Sequence, residues 1–178
     1  IFINGVRLNS SQNGQFDLSS LPVSLANEIS VFRGGASTLY GANAIGGVVN
    51  IQTASDKENV FKTDVQYGSF KSLLYSAYAS LKISDSSLLS AMVESTSSQG
   101  DYPFRSIQYG ENAELVRKNG DFKSISGLIS GSVPVQNWQV TPLAILRSTE
   151  RGTPGAVLQG RVESSSARLT ESDLMFSI

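Results

Sequence analysis

The chain has no histidine and no cysteine, so zinc ligation, thiol catalysis and imidazole acid–base chemistry are excluded together. Carboxylates, hydroxyls, amides, guanidinium groups and rings remain. Asp101 with Glu111 or Glu114 offers paired carboxylates, but at a spacing that reads as loop charge able to hold a cation, with no partner for acid–base work. No Ser-His-Asp set can form. The chain is therefore read as a non-enzyme with no catalytic residue, cofactor or metal site. Between Asn9 and Phe16, Ser10, Gln12, Asn13 and Gly14 offer hydrogen bonds without charge. Tyr102 and Phe104 are two rings that suit either an aromatic girdle at a membrane interface or contact with a ligand, and Arg33 places one guanidinium immediately before Gly34 and Gly35.

These groups need elements to hold them. Arg33 opens the most distinctive stretch, in which Gly34, Gly35, Gly41, Gly46 and Gly47 lie between the β-prone runs Val31-Phe32 and Val48-Val49-Asn50-Ile51. Such a run predicts a tightly turned segment against another surface. A phosphate-binding loop would need a lysine after its second glycine, or a G-x-G-x-x-G opening a helix. Neither is present: no lysine lies between Gly34 and Asn50, and Gly46-Gly47 leads into a strand.

From Val60 onward the pattern changes to alternation with period two. Phe61, Thr63, Val65 and Tyr67 share one face, and Lys62, Asp64, Gln66 and Gly68 the other. Leu73 to Ile83 and Leu89 to Val93 repeat it, Phe122 to Val133 does so more weakly, Trp138 to Arg147 reads as one strand, and Leu174 to Ile178 closes the series. Pro142 inside the Trp138 segment predicts a bulge or register fault. Asp85-Ser86-Ser87 and Pro134 to Asn137 are short turns, whereas Ser98 to Gly120 and Glu150 to Ala167 are long loops. If Val60 starts at one side, both long loops fall on the opposite side; only the hairpin near Gly68 to Ser72 is shorter than this alternation expects.

The 178 residues are 40% hydrophobic, 16% charged and carry a net charge of −1. Charge is scarce for a soluble domain, where about a quarter is usual, and the balance gives no reason to expect nucleic acid. No apolar run approaches the roughly 18 residues of a membrane helix. Six alternating segments, most of them about ten residues long, suit tilted strands crossing a bilayer, although a soluble β-sandwich also alternates.

The first third resembles the C-terminal part of the plug domain of TonB-dependent outer-membrane receptors. Phe2-Ile3-Asn4-Gly5-Val6-Arg7-Leu8 looks like a plug strand and turn. Asp17-Leu18-Ser19-Ser20-Leu21-Pro22 with Ile29-Ser30-Val31 looks like the short helix and strand before the Arg-Gly motif. Ile29 to Thr53 looks like the end of the plug, with Gly35 where most members have proline. Gln99-Gly100-Asp101-Tyr102-Pro103-Phe104 and Glu150-Arg151-Gly152-Thr153-Pro154-Gly155 resemble loop starts in such receptors, especially of cobalamin and siderophore type.

The resemblance implies a mainly β chain, with residues 1–55 as plug and 56–178 as the first six or so antiparallel strands of a transmembrane barrel of about 22 strands. Six strands cannot close such a barrel, so the chain is expected to be a portion of a longer one. The implied function is binding of a scarce nutrient, a cobalamin or ferric siderophore-like ligand, and TonB-coupled import to the periplasm. The implied location is the bacterial outer membrane. Expected partners are the TonB complex, through a segment outside this chain, a small-molecule or metal-chelate ligand, and outer-membrane lipid. Ser10, Gln12, Asn13, Gly14, Tyr102 and Phe104 are the expected ligand contacts. Arg33 is the expected lock between plug and barrel, with Asp64 and Glu94 as candidate partners, because a guanidinium packed in a barrel lumen needs a counter-charge. Tyr40 and Asn50 are expected to be structural, a buried ring and a satisfied amide. Competing classes are a passive channel or adhesin, which would lack a plug, and a soluble β-rich enzyme.

Overall fold

The computed structural model describes residues 1–9, 14–16, 18, 21–22, 26–35, 37–41, 44–53, 58–108, 111–158, 161–163 and 165–178. The chain divides into two compact units, largely residues 1–57 and 58–176.

In the first unit, β1 (Phe2–Ile3) and β2 (Val6–Arg7) pair across Asn4-Gly5. Both turn residues have positive φ, 48° and 83°, the conformation for which Asn-Gly is favoured in two-residue hairpins. With β3 (Ala26–Arg33), α1 (Ser37–Tyr40) and β4 (Gly47–Thr53), the chain builds a four-stranded sheet in the order β2-β1-β4-β3. β1 runs parallel to β4 and β3 antiparallel to it. Asn4 ties the hairpin to the end of β4: its Nδ2 donates to Thr53 Oγ1 at 2.8 Å, and the Thr53 N–H donates to Asn4 Oδ1 at 2.9 Å. Ile3, Leu8, Ala44, Val48 and Ile51 are buried and form the core, Ile3 completely. Among the described residues, the edge strand β3 leaves two large apolar residues, Ile29 and Val31, exposed on this sheet's Ile51 face.

The second unit contains β5 (Val60–Gly68), β6 (Ser72–Lys82), β7 (Leu88–Ser98), β8 (Tyr102–Gln108), β9 (Glu111–Arg117), β10 (Phe122–Val135), β11 (Trp138–Val140), β12 (Leu143–Gly152), β13 (Val157–Leu158), β14 (Arg161–Val162) and β15 (Arg168–Ser177). One sheet runs β15-β12-β10-β7-β6-β5, with β11 also on β10. The long loops carry ribbons of their own, β8–β9 and β13–β14, whose strands the Ser98–Gly120 and Glu150–Ala167 segments do not announce by alternation.

The registers of β5, β6, β7, β10, β11 and β12 assign their paired side chains to faces. Phe61, Ala79, Ala91, Ile129 and Ala144 form one cross-strand row, and Thr63, Ala77, Val93, Gly127 and Leu146 the next. This face leaves its large apolar side chains exposed, among them Phe61, Val65, Tyr67, Leu81, Ile125 and Trp138. The other face is mostly small and polar: Asp64, Ser76, Glu94, Ser126 and Arg147 make one row.

Two expectations are corrected here. The Trp138–Arg147 segment is divided into β11 and β12 around Thr141-Pro142. Yet Val133↔Val140 and Ser130↔Leu143 belong to one register, so Pro142 causes neither bulge nor register fault. The proline removes a single ladder donor. Its carbonyl still accepts from the Gly131 N–H at 3.0 Å.

Candidate functional site

Within the uncharged loop between Asn9 and Phe16, Asn9 Nδ2 donates to the carbonyl of Gly14 at 3.0 Å. Gly14 adopts φ 71°. Ser10, Gln12 and Asn13 lie outside the described residues, as does much of Asp17–Pro22, where the Leu21 N–H donates to Leu18 O at 3.1 Å.

The glycine run follows β3. Arg33, exposed at its end, pairs in register with Gly47. Gly34, Gly41 and Gly47 have positive φ, while Gly35 and Gly46 do not. Gly47 is the tightest position, because a Cβ there would lie 2.6 Å from the Phe32 carbonyl oxygen. Tyr40 is half-buried between Phe2 and Phe32, with ring centroids 5.0 and 5.9 Å away. Asn50 departs from expectation: its buried Oδ1 has no hydrogen-bond partner among the described residues. Its neighbours in register are Phe2 and Ser30, so β4 turns the amide toward a face where α1 brings Tyr40 onto Phe2.

Residues 1–48 match the family model of the TonB-dependent Receptor Plug Domain. The match runs from β1 through the glycine run to the start of β4, the same residues whose turn and packing are described above. It covers about a quarter of the chain and marks residues 1–48 as similar to the plug domain of TonB-dependent receptors.

Beyond the plug segment, the second unit gathers three rings at the end of its sheet where both long loops emerge. Tyr102 and Phe104 lie two apart on one face of β8, with centroids 6.2 Å apart. Phe70, which sequence reasoning did not single out, joins them from the β5–β6 hairpin at 5.8 Å from Tyr102. The signal available in the sequence was an aromatic inside the short turn Gly68–Ser72, where glycine or asparagine is usual. Phe70 and Lys71 both take positive φ, 57° and 53°. The turn is held from several sides. Ser72 Oγ donates to Ser69 O at 2.7 Å, and Ser98 Oγ and the Gln99 N–H donate to Phe70 O at 3.2 and 3.0 Å.

The bases of the two loops are joined by a second group that sequence reasoning missed. Arg168 makes a two-pronged contact with Asp121, at 2.9 and 2.8 Å, and reaches Glu150 at 3.1 Å. Asn119 Nδ2 donates to the carbonyls of Thr153 and Ala167 at 2.9 and 3.1 Å. The hydrogen bond from Arg168 holds the Asp121 carboxyl below its ordinary range. These residues are nearly 50 positions apart at the extremes, so no local pattern links them. Of the carboxylates considered for a cation, Glu114 lies 3.5 Å from Arg105 across the β8–β9 ribbon. Among the described residues, no group of three acidic side chains is placed to hold a metal.

Proposed function

We propose that the chain forms the plug end and the first barrel strands of an outer-membrane receptor that imports a cobalamin or ferric siderophore-like ligand with energy from TonB. One observation carries this reading: a plug-family segment is followed at once by an antiparallel sheet with its large apolar side chains facing outward. The strands β5, β6, β7, β10, β12 and β15 are 9, 11, 11, 14, 10 and 10 residues long, against about 9–11 needed to cross a bilayer. Short turns at 83–87 and 136–137 share one end of the sheet and the long loops share the other, the arrangement of periplasmic turns and extracellular loops. The row Tyr67, Leu73, Ser97, Lys123, Glu150 passes from apolar to polar along its length. Strands tilted in a bilayer produce such an oblique boundary.

In this reading Ser10, Gln12, Asn13 and Gly14 of the plug, with Tyr102 and Phe104 of the barrel loops, contact the ligand. Arg33 locks plug to barrel through carboxylates on the polar face, Asp64 and Glu94 among the candidates. The plug then blocks a barrel too wide for side chains to fill, and TonB supplies the work that moves it.

The test is uptake by cells carrying the full-length receptor, with and without functional TonB, using cyanocobalamin and a panel of ferric siderophores. Saturable uptake of one of them that disappears without TonB is expected. Permeation that ignores TonB would overturn the energised reading and leave a passive channel or adhesin. Arg33→Ala is expected to loosen the plug, raising small-solute permeability and lowering uptake; no change in either would overturn the lock.

A further inference from the structure

We infer that Phe70 is a ligand-binding residue, and that with Tyr102, Phe104 and Arg117 it forms a stacking site for a flat ring bearing an anionic group. The inference rests on the receptor reading and deepens it by naming the chemistry of the ligand.

The conformation of Phe70 supplies the first argument. A bulky residue at φ 57°, ψ 31° sits where L side chains crowd their own backbone, a conformation that glycine or asparagine would adopt at lower cost. Strain of this kind persists where surrounding structure over-determines it, and it clusters at ligand-binding positions. Here the surroundings are specific. Three hydrogen bonds from the start of the long loop and from within the hairpin hold the turn, and Gly100 N–H donates to Ser98 Oγ at 3.2 Å, extending the hold into the segment that carries Tyr102. The Phe70 ring is nevertheless half exposed, as is much of Tyr102. The rings are thus fixed in place while part of their surface remains open, which lowers the ordering cost of binding.

The face has a charge as well as rings. Tyr102 pairs with Arg117 and Phe104 with Leu115, so these side chains share one face of the β8–β9 ribbon, with directly opposed Cβ atoms about 4.5–5.5 Å apart. Arg105 and Glu114 satisfy each other on the opposite face. Arg117 is half-buried and has no ion-pair or hydrogen-bond partner among the described residues. A planar guanidinium beside exposed rings suits a ring carrying a carboxylate, sulfonate or ionised phenol.

The experiment is equilibrium binding of 2-naphthoate, and of its uncharged amide, to the purified full-length receptor in detergent. Naphthoate is expected to bind more tightly than the amide. Phe70→Gly removes the ring and relieves the backbone, so it should leave the thermal midpoint unchanged or higher while weakening both probes about 3- to 10-fold; Phe70→Trp should restore them. Arg117→Gln should remove the preference for naphthoate and leave amide binding intact. Absence of naphthoate binding to the unaltered receptor, unchanged binding in Phe70→Gly, or a preference retained in Arg117→Gln would each overturn the inference. TonB plays no part in this assay. TonB-dependent uptake with Phe70-insensitive probe binding would overturn the ring site alone, whereas Phe70-sensitive binding with TonB-independent permeation would overturn the receptor reading and keep the ring site.

Discussion

The sheet of the first unit and the sheet of the second are both antiparallel at β3–β4 and from β5 to β12, yet they cover their apolar side chains differently. In the first unit the apolar side chains of the inner strands β1 and β4 are covered: Ile3 has 0% of its surface exposed, and Val48 and Ile51 little more, while the edge strand β3 leaves Ile29 and Val31 open. In the second, the apolar face of the sheet is the open one, with Trp138 at 77% and Phe61 at 73%. The contrast teaches that period-two patterning fixes which residues share a face, while the surrounding medium decides whether that face is covered by protein or by something else apolar.

The largest effect that would sharpen this contrast is Ile3→Ala. It deletes a completely buried side chain and should destabilise the first unit by about 2–5 kcal/mol, read as a lowered denaturant midpoint for that unit in the full receptor. A loss well under that range would mean that Ile3 is not the centre of a packed core. Next comes Leu146→Arg, placed in the middle of the open apolar face. If lipid covers that face, the substitution should cost about 2–4 kcal/mol, measured by folding into vesicles. In a water-facing sheet it would be close to neutral, and that result would break the comparison.

Smaller effects are expected where the long loops leave the sheet. Because Arg168 lowers the pKa of Asp121, the carboxylate contributes stability above its unfolded value, near 3.8, and that contribution is lost as pH falls through the lower folded value. Limited proteolysis of loops 99–121 and 153–167 should therefore accelerate only below about pH 4. Asp121→Asn should produce the same loop cleavage at neutral pH, and equal cleavage of variant and parent would remove the clamp from the account. The smallest effect is Phe70→Gly, which should stabilise the second unit by about 1 kcal/mol by releasing a left-handed phenylalanine. A destabilisation would mean that the ring's packing outweighs its backbone strain.

Most of the strand framework was legible in advance because alternation is local. The segment starting at Val60, the shared face of Phe61, Val65 and Tyr67, and the short turn at Asp85-Ser86-Ser87 all follow from neighbours within a few positions. The Asn4-Gly5 turn was legible through the resemblance of residues 2–8 to a plug strand and turn. Pro142 misled because a proline forbids one donor but says nothing about its partner: Gly131, across the ladder, keeps the register by donating to the proline carbonyl.

The candidate site was legible only in part. Tyr102 and Phe104 were visible as rings in a loop, but the strand pairing that sets them opposite Arg117 and Leu115 is a property of the folded ribbon. Sequence by itself determined the mainly β class, the two regions of different character, the shared faces and the absence of histidine and cysteine chemistry, since these depend on residue type and short-range spacing. Only the tertiary structure decided that Phe70 meets Tyr102, that Arg168 joins Asp121 to Glu150, and that the Asn50 Oδ1 finds no partner among the described residues. Each of these depends on distant segments meeting in one register, and a contact between segments tens of residues apart leaves no periodic trace in either.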